Sequence, residues 1–132
     1  MAGRAFDWLR QAERDLQQAL FSQELGFYEW ACFASHQAAE KAVKALHLFM
    51  GQEAWGHVVA RLLLELPIPV PEHLVEKGKV LDGYYIPPRY PNGFPEGAPF
   101  EHFGFLQAKE AVGYAREILE FVHTQMAEEG RS

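Results

Sequence analysis

A single cysteine, Cys32, is all the thiol that the 132-residue chain contains, so an intramolecular disulfide is excluded. It falls inside a strongly helical pattern, where a buried, inert thiol is the simplest reading. No apolar run approaches the roughly 18 residues that a membrane span needs, and no secretory leader is visible. Together with the lone thiol, these absences lead to an expected cytoplasmic location with no membrane partner. Positive charge is also scarce: 12 Lys and Arg against 18 Asp and Glu give a formal net charge of −6. A nucleic-acid binder usually displays a basic face that displaces counterions from phosphates, so the balance leaves room only for a local basic pocket. There is no phosphate-cradling glycine loop, no nucleophile elbow, no clustered metal motif and no internal repeat. Neither a metal nor a cofactor is expected.

What the chain does have is helical periodicity. The central stretch is Phe27 to Gly51. Trp30, Ala34, Ala38, Ala42, Ala45 and Phe49 recur on one face, and Ala39, Val43, Leu46 and Met50 on an adjoining one. Gly26 and Gly51 are plausible breaks at its ends. An amphipathic helix precedes it over residues 5–23, with Ala5, Leu9, Ala12, Leu16, Ala19 and Leu20 as its apolar stripe. A short helix is expected over 58–66, stopped by Pro67, and another from Pro71 to Leu81. The segment Tyr84 to Phe100 holds five prolines and two glycines, which rules out a helix or a central strand. Its aromatics predict an ordered loop across the bundle. The last helix is expected from about Glu101 to Glu128, with Glu128–Ser132 as a frayed tail. Its small residues Gly104, Ala108, Ala111 and Ala115 match the alanine face of the central helix, so the two should nest closely. The predicted architecture is all-α: one domain over residues 1–132, an up-and-down bundle of four to five helices with an ordered proline-rich loop before the last.

The polar side of the central helix carries His36, Glu40, Lys44 and His47. Read plainly, this is a solvated edge with a Glu40–Lys44 pair. A metal site built from His36, Glu40 and His47 is disfavoured, because two histidines three turns apart cannot both reach one ion without other ligands.

The run Ser35-His36-Gln37-Ala38-Ala39-Glu40-Lys41-Ala42-Val43-Lys44-Ala45-Leu46 resembles the second-helix signature of HEPN-domain proteins, small helical modules often encoded beside minimal nucleotidyltransferases in prokaryotes. Arg89-Tyr90-Pro91 is similar to the RYP element of many such domains, and His57 sits where the family commonly has a histidine. The resemblance spans nearly the whole chain. It implies a helical homodimer that partners a minimal nucleotidyltransferase in a toxin–antitoxin-like pair and binds a nucleotide or RNA phosphate. Some family members are metal-independent ribonucleases with an arginine, four to six residues, then a histidine, acting across a dimer. Arg116 and His123 meet that spacing and are the candidate catalytic pair of an alternative ribonuclease reading. Glu117 beside Arg116 would repel a phosphate, and Arg116 has Glu120 as an alternative ion-pair partner. A third reading is a structural dimer without ligand.

Arg89 is the stronger candidate contact, because a guanidinium in a proline-stiffened loop is pre-organised for phosphate and neighbouring tyrosines can stack a base. Alternatively Arg89 caps a helix end while the aromatics seal the core. The candidate ligand-binding set is Arg89, Tyr90, Tyr84, His57 and Lys44. Asp82 reads as a turn residue.

Overall fold

A computed structural model of the chain describes residues 2–131, with side chains for residues 3–127. Five helices follow in order: α1 (Ala2–Glu24), α2 (Tyr28–Phe49), α3 (Val59–Leu64), α4 (Glu72–Asp82) and α5 (Phe105–Arg131). Two short 3-10 turns, Pro91–Gly93 and Pro99–Glu101, lie in the loop before α5. No strand occurs among the described residues, and no helix among them is long and apolar enough to cross a membrane.

Glycines close the first two helices as their placement predicts. Gly26 takes φ 86° and Gly51 φ 80°, the left-handed region where a side chain would be strained. Beyond each, an amide reaches back to satisfy a terminal carbonyl: Phe27 to Ser22 and Gln52 to His47, both at 2.8 Å. The first turn folds α1 against α2 as an antiparallel pair. Helix α5 then packs on α2 running the same way. Tyr28 and Phe105, at the two starts, meet edge to face at 6.1 Å, and Ala34 and Val112 share a cluster with Ala19 of α1 further along. The α3–α4 pair and the proline-rich loop carry the chain back to make that parallel return.

The alanine stripes are where the sequence places them: Ala38, Ala42 and Ala45 of α2 and Ala108, Ala111 and Ala115 of α5 are fully buried. Larger side chains, Leu46, Leu62, Leu63, Leu81 and Ile118, fill the rest of the core, each contributing about 1.5–3 kcal/mol by its burial.

Three expectations are corrected. The small-residue stripe has no close approach at Gly104, because a Cβ built there meets nothing within 4 Å. Gly104 instead precedes the helix, giving its carbonyl to Ala108 N–H at 3.1 Å and its own N–H to Gln107 Oε1 at 2.9 Å, an N-cap arrangement in which glycine is well tolerated. The tight glycine is Gly78 of α4, whose Cβ would lie 3.2 Å from the Ala60 nitrogen and 3.3 Å from Leu63 Cδ1. Helix α5 begins at Phe105 because the Pro99–Glu101 turn intervenes, and it continues to Arg131 where a tail was expected; Ser132 lies outside the described residues. Finally, the polar stripe of α2 is not a solvated edge: His36, Glu40, Lys44 and His47 are all buried.

Candidate functional site

The stripe is covered by the segment leading into α3, by α3 itself and by the end of α4, and it holds them by side-chain bonds. His36 Nε2 donates to the His57 carbonyl at 2.8 Å, and His47 Nε2 donates to the Leu62 carbonyl at 2.8 Å. Glu40 sits between them. Its Oε1 accepts from His57 Nδ1 at 2.9 Å and its Oε2 from Lys44 Nζ at 3.1 Å. With a ring nitrogen of each histidine committed to a carbonyl, the metal reading finds no ligand set: no three His, Cys, Asp or Glu side chains converge for an ion among the described residues.

Asp82 has a role that a turn residue would not. Its carboxylate accepts the amides of Val59 at 2.6 Å and Ala60 at 3.1 Å, capping α3 from the end of α4, and its Oδ1 lies 3.5 Å from His36 Nε2. The N-cap position of α3 is Val58, which has no side-chain acceptor. The cap therefore comes from 23 residues away.

On the outer side of this network stands Tyr85, absent from the expected set. The His57 ring stacks on it at 4.7 Å and 17°, and the Arg89 guanidinium lies over it at 4.7 Å. Both groups therefore pack on the Tyr85 ring. Arg89 also covers Phe33 at 4.4 Å and Tyr90 at 5.2 Å. Its Nε donates to the Tyr85 carbonyl at 2.8 Å, so it braces its own loop rather than capping a helix. Arg89 forms no ion pair among the described residues. Its two terminal nitrogens are thus fixed in place, cationic and without a carboxylate.

The expected ligand residues divide. Arg89, Tyr90 and His57 gather around Tyr85. Lys44 lies behind them, with its ammonium on Glu40 and 5.8 Å over the Trp8 ring. Tyr84 turns into the core against Phe103 at 5.9 Å, and burial, then the neighbouring Cys32 and Glu110, push its hydroxyl up to about 12. Cys32 is likewise pushed up to about 12, by burial first and then by Glu29 and Glu110, which makes it an inert thiol at neutral pH. No local signal in the sequence separates Tyr85 from its neighbour Tyr84.

Arg116 and His123 both lie on the exposed side of α5, in a shallow concavity of about 280 Å³ with Glu13, Gln17 and Glu120. His123 Nε2 is 3.9 Å from Glu13 Oε2. Arg116 forms no ion pair with Glu120 among the described residues, and Glu117 turns to Lys77 of α4 at 2.7 Å.

A family model for the HEPN domain matches residues 5–126. The chain belongs to the HEPN family. Among solved structures, it is similar to TT1696 from Thermus thermophilus, with 54% identity, a TM-score of 0.90, and coverage of 92% of this chain and 97% of that one. ST0689, an archaeal HEPN homologue, matches at 42% identity and TM-score 0.81, covering 92% and 97%. A HEPN domain protein from Thermotoga maritima matches at 36% identity and TM-score 0.75, covering 92% and 98%. No curated protein matches. The HEPN fold accounts for the five helices and leaves the chemistry to the side chains just described.

Proposed function

We propose that this HEPN protein is a homodimeric partner module of a minimal nucleotidyltransferase, in a toxin–antitoxin-like pair, and that it binds a nucleotide or RNA phosphate at Arg89. The observation that carries the ligand reading is the state of Arg89. A guanidinium clamped between aromatic rings, bonded through Nε and unpaired at its terminal nitrogens, keeps its fork free for two phosphate oxygens. Tyr90, about half exposed, offers a ring for a base. Supporting the dimer is an apolar groove at the α1–α2 turn, lined by the exposed Phe21, Leu25, Phe27 and Trp30. Its facing charges, Asp15 and Lys41, neutralise one another at 2.6 Å, so two chains of net charge −6 can approach there with little repulsion.

The test is a thermal shift with a nucleoside triphosphate and with a short oligoribonucleotide, on the natural protein and on Arg89→Ala, beside co-purification from the native cell. Ligand at 100 times its Kd should stabilise the natural protein by about 2.7 kcal/mol. Loss of the charged contact should weaken binding about 10- to 100-fold. Equal shifts in both proteins would put the ligand away from Arg89, and none in either would leave the structural-dimer reading in its place.

The ribonuclease reading keeps one supporting observation, that Arg116 and His123 share a concavity. The carboxylates of Glu13 and Glu120 in that same hollow oppose phosphate.

A further inference from the structure

Two of the chain's three tryptophans, Trp8 and Trp55, line one cavity of about 310 Å³ between α1, α2 and the connector that leads to α3. That volume suits a single small molecule. Leu48 of α2 adds to the apolar wall. Trp8 is partly buried against the core, whereas Trp55 stands out from the connector, 80% exposed. It directly precedes Gly56, whose φ of 93° turns the backbone in a way a side chain would resist.

The charges of the lining are Arg4, Lys44 and Glu53, two cations against one carboxylate on a chain whose net charge is −6. Lys44 is buried. Among the described residues its ammonium has one hydrogen-bond acceptor, Glu40 Oε2 at 3.1 Å, for three protons. Arg4 is held only at 3.4 Å by Asp7, a carboxylate that Arg10 shares. One positive charge is therefore left over at that edge. The Lys44 ammonium also lies 5.8 Å over the Trp8 ring, so a cationic ligand would find that aromatic face already taken by a cation.

We propose that this cavity binds a small aromatic carboxylate, with its ring against Trp55 and its carboxylate held by Lys44 and Arg4. Two indoles offer flat walls, which a planar ring contacts over more area than a branched chain does. The carboxylate supplies an acceptor for the open protons of a buried ammonium, a charged bond of the stronger kind. Glu53 in the same lining opposes a second negative charge. A monoanion fits, and a nucleoside polyphosphate does not. The ligand class therefore differs from the one proposed for Arg89, and neither site depends on the other.

The experiment titrates phenylacetate, its neutral amide phenylacetamide and the cation phenethylammonium into the natural protein, followed by calorimetry and tryptophan fluorescence. Phenylacetate should bind saturably with a Kd of about 1 mM or tighter, and the amide about tenfold or more weaker. Trp55→Ala, a change at an exposed side chain, should weaken phenylacetate about fivefold or more. Arg4→Gln should weaken the acid and leave the amide as it was. An amide that binds as well as the acid reduces the cavity to an apolar hollow, and a tighter phenethylammonium makes it a cation site; either overturns the proposal. So does the absence of saturable binding, or phenylacetate binding that Trp55→Ala leaves unchanged, which would move the ligand to the groove beside Trp30.

Discussion

Alanine placed at Gly113 and at Gly78 should move stability in opposite directions, although the chemical change is the same. Each glycine lies within a helix, where alanine is favoured by about 0.8–1 kcal/mol. At Gly113 a Cβ meets nothing within 4 Å, so the whole gain is kept. At Gly78 the new methyl lies 3.2 Å from the Ala60 nitrogen and 3.3 Å from its Cα. Both atoms belong to the α3 backbone, which cannot yield without shifting α3 on its Asp82 cap. Overpacking of this kind costs about 1–3 kcal/mol, so Gly78→Ala should end between neutral and about 2 kcal/mol less stable. Urea unfolding followed by helical circular dichroism reads both variants, with equal m-values as the check that only stability has changed. Gly113→Ala should raise the midpoint and add about 3–5 °C to the melting temperature. A destabilised Gly113→Ala, or a Gly78→Ala as stabilised as its counterpart, would refute the account of which helix pairs approach closely.

Two further outcomes follow from buried groups. Asp82→Ala removes the acceptor for the Val59 and Ala60 amides and should cost about 1–2 kcal/mol in the same assay, with Asp82→Asn losing less. Cys32 is protonated in the fold up to about pH 12 against a reference of 9.0, so above pH 9 the unfolded chain sheds this proton first. Its stability contribution is therefore complete below pH 9 and lost as pH rises towards 12. Cys32→Ala should make the alkaline decline shallower by up to about 1.4 kcal/mol per pH unit, and the natural thiol should resist a disulfide reagent at pH 8 until the chain unfolds.

The long helices were legible because their signals are local. The stripe of α1, the alanine face of α2 and the glycines at 26 and 51 each specify a feature within a few residues of themselves. The site was only half legible. Arg89, Tyr90 and His57 stand out by residue type, but Tyr84 and Tyr85 are indistinguishable in sequence, and the loop decides which enters the core and which meets His57 and Arg89. The burial of His36, Glu40, Lys44 and His47 was not legible either. A helical stripe of such residues is ordinarily solvated, and the cover here comes from α3 and the end of α4, remote in sequence. Asp82 illustrates the same point: its cap is on a helix that begins 23 residues earlier, and no capping pattern near Val58 announces it.

The buried stripe also bears on why the Glu40–His57 pair is better read as a positioning device than as a source of stability. Taking a carboxylate and an ammonium out of water costs several kcal/mol per ion, and their mutual attraction often does no more than offset it. Apolar side chains at positions 40 and 44 would pack the same interface at least as favourably, as they do at Val43 and Leu46 nearby on the same helix. Lys44 alone balances the charge of Glu40, so the bond to His57 is not needed to neutralise it. What Glu40 adds is a fixed tautomer and a fixed direction for the His57 ring. A helix of small apolar side chains that carries a paired charge at its centre, aimed at one half-exposed histidine, makes physical sense when the direction of that ring matters more than the stability of the pair.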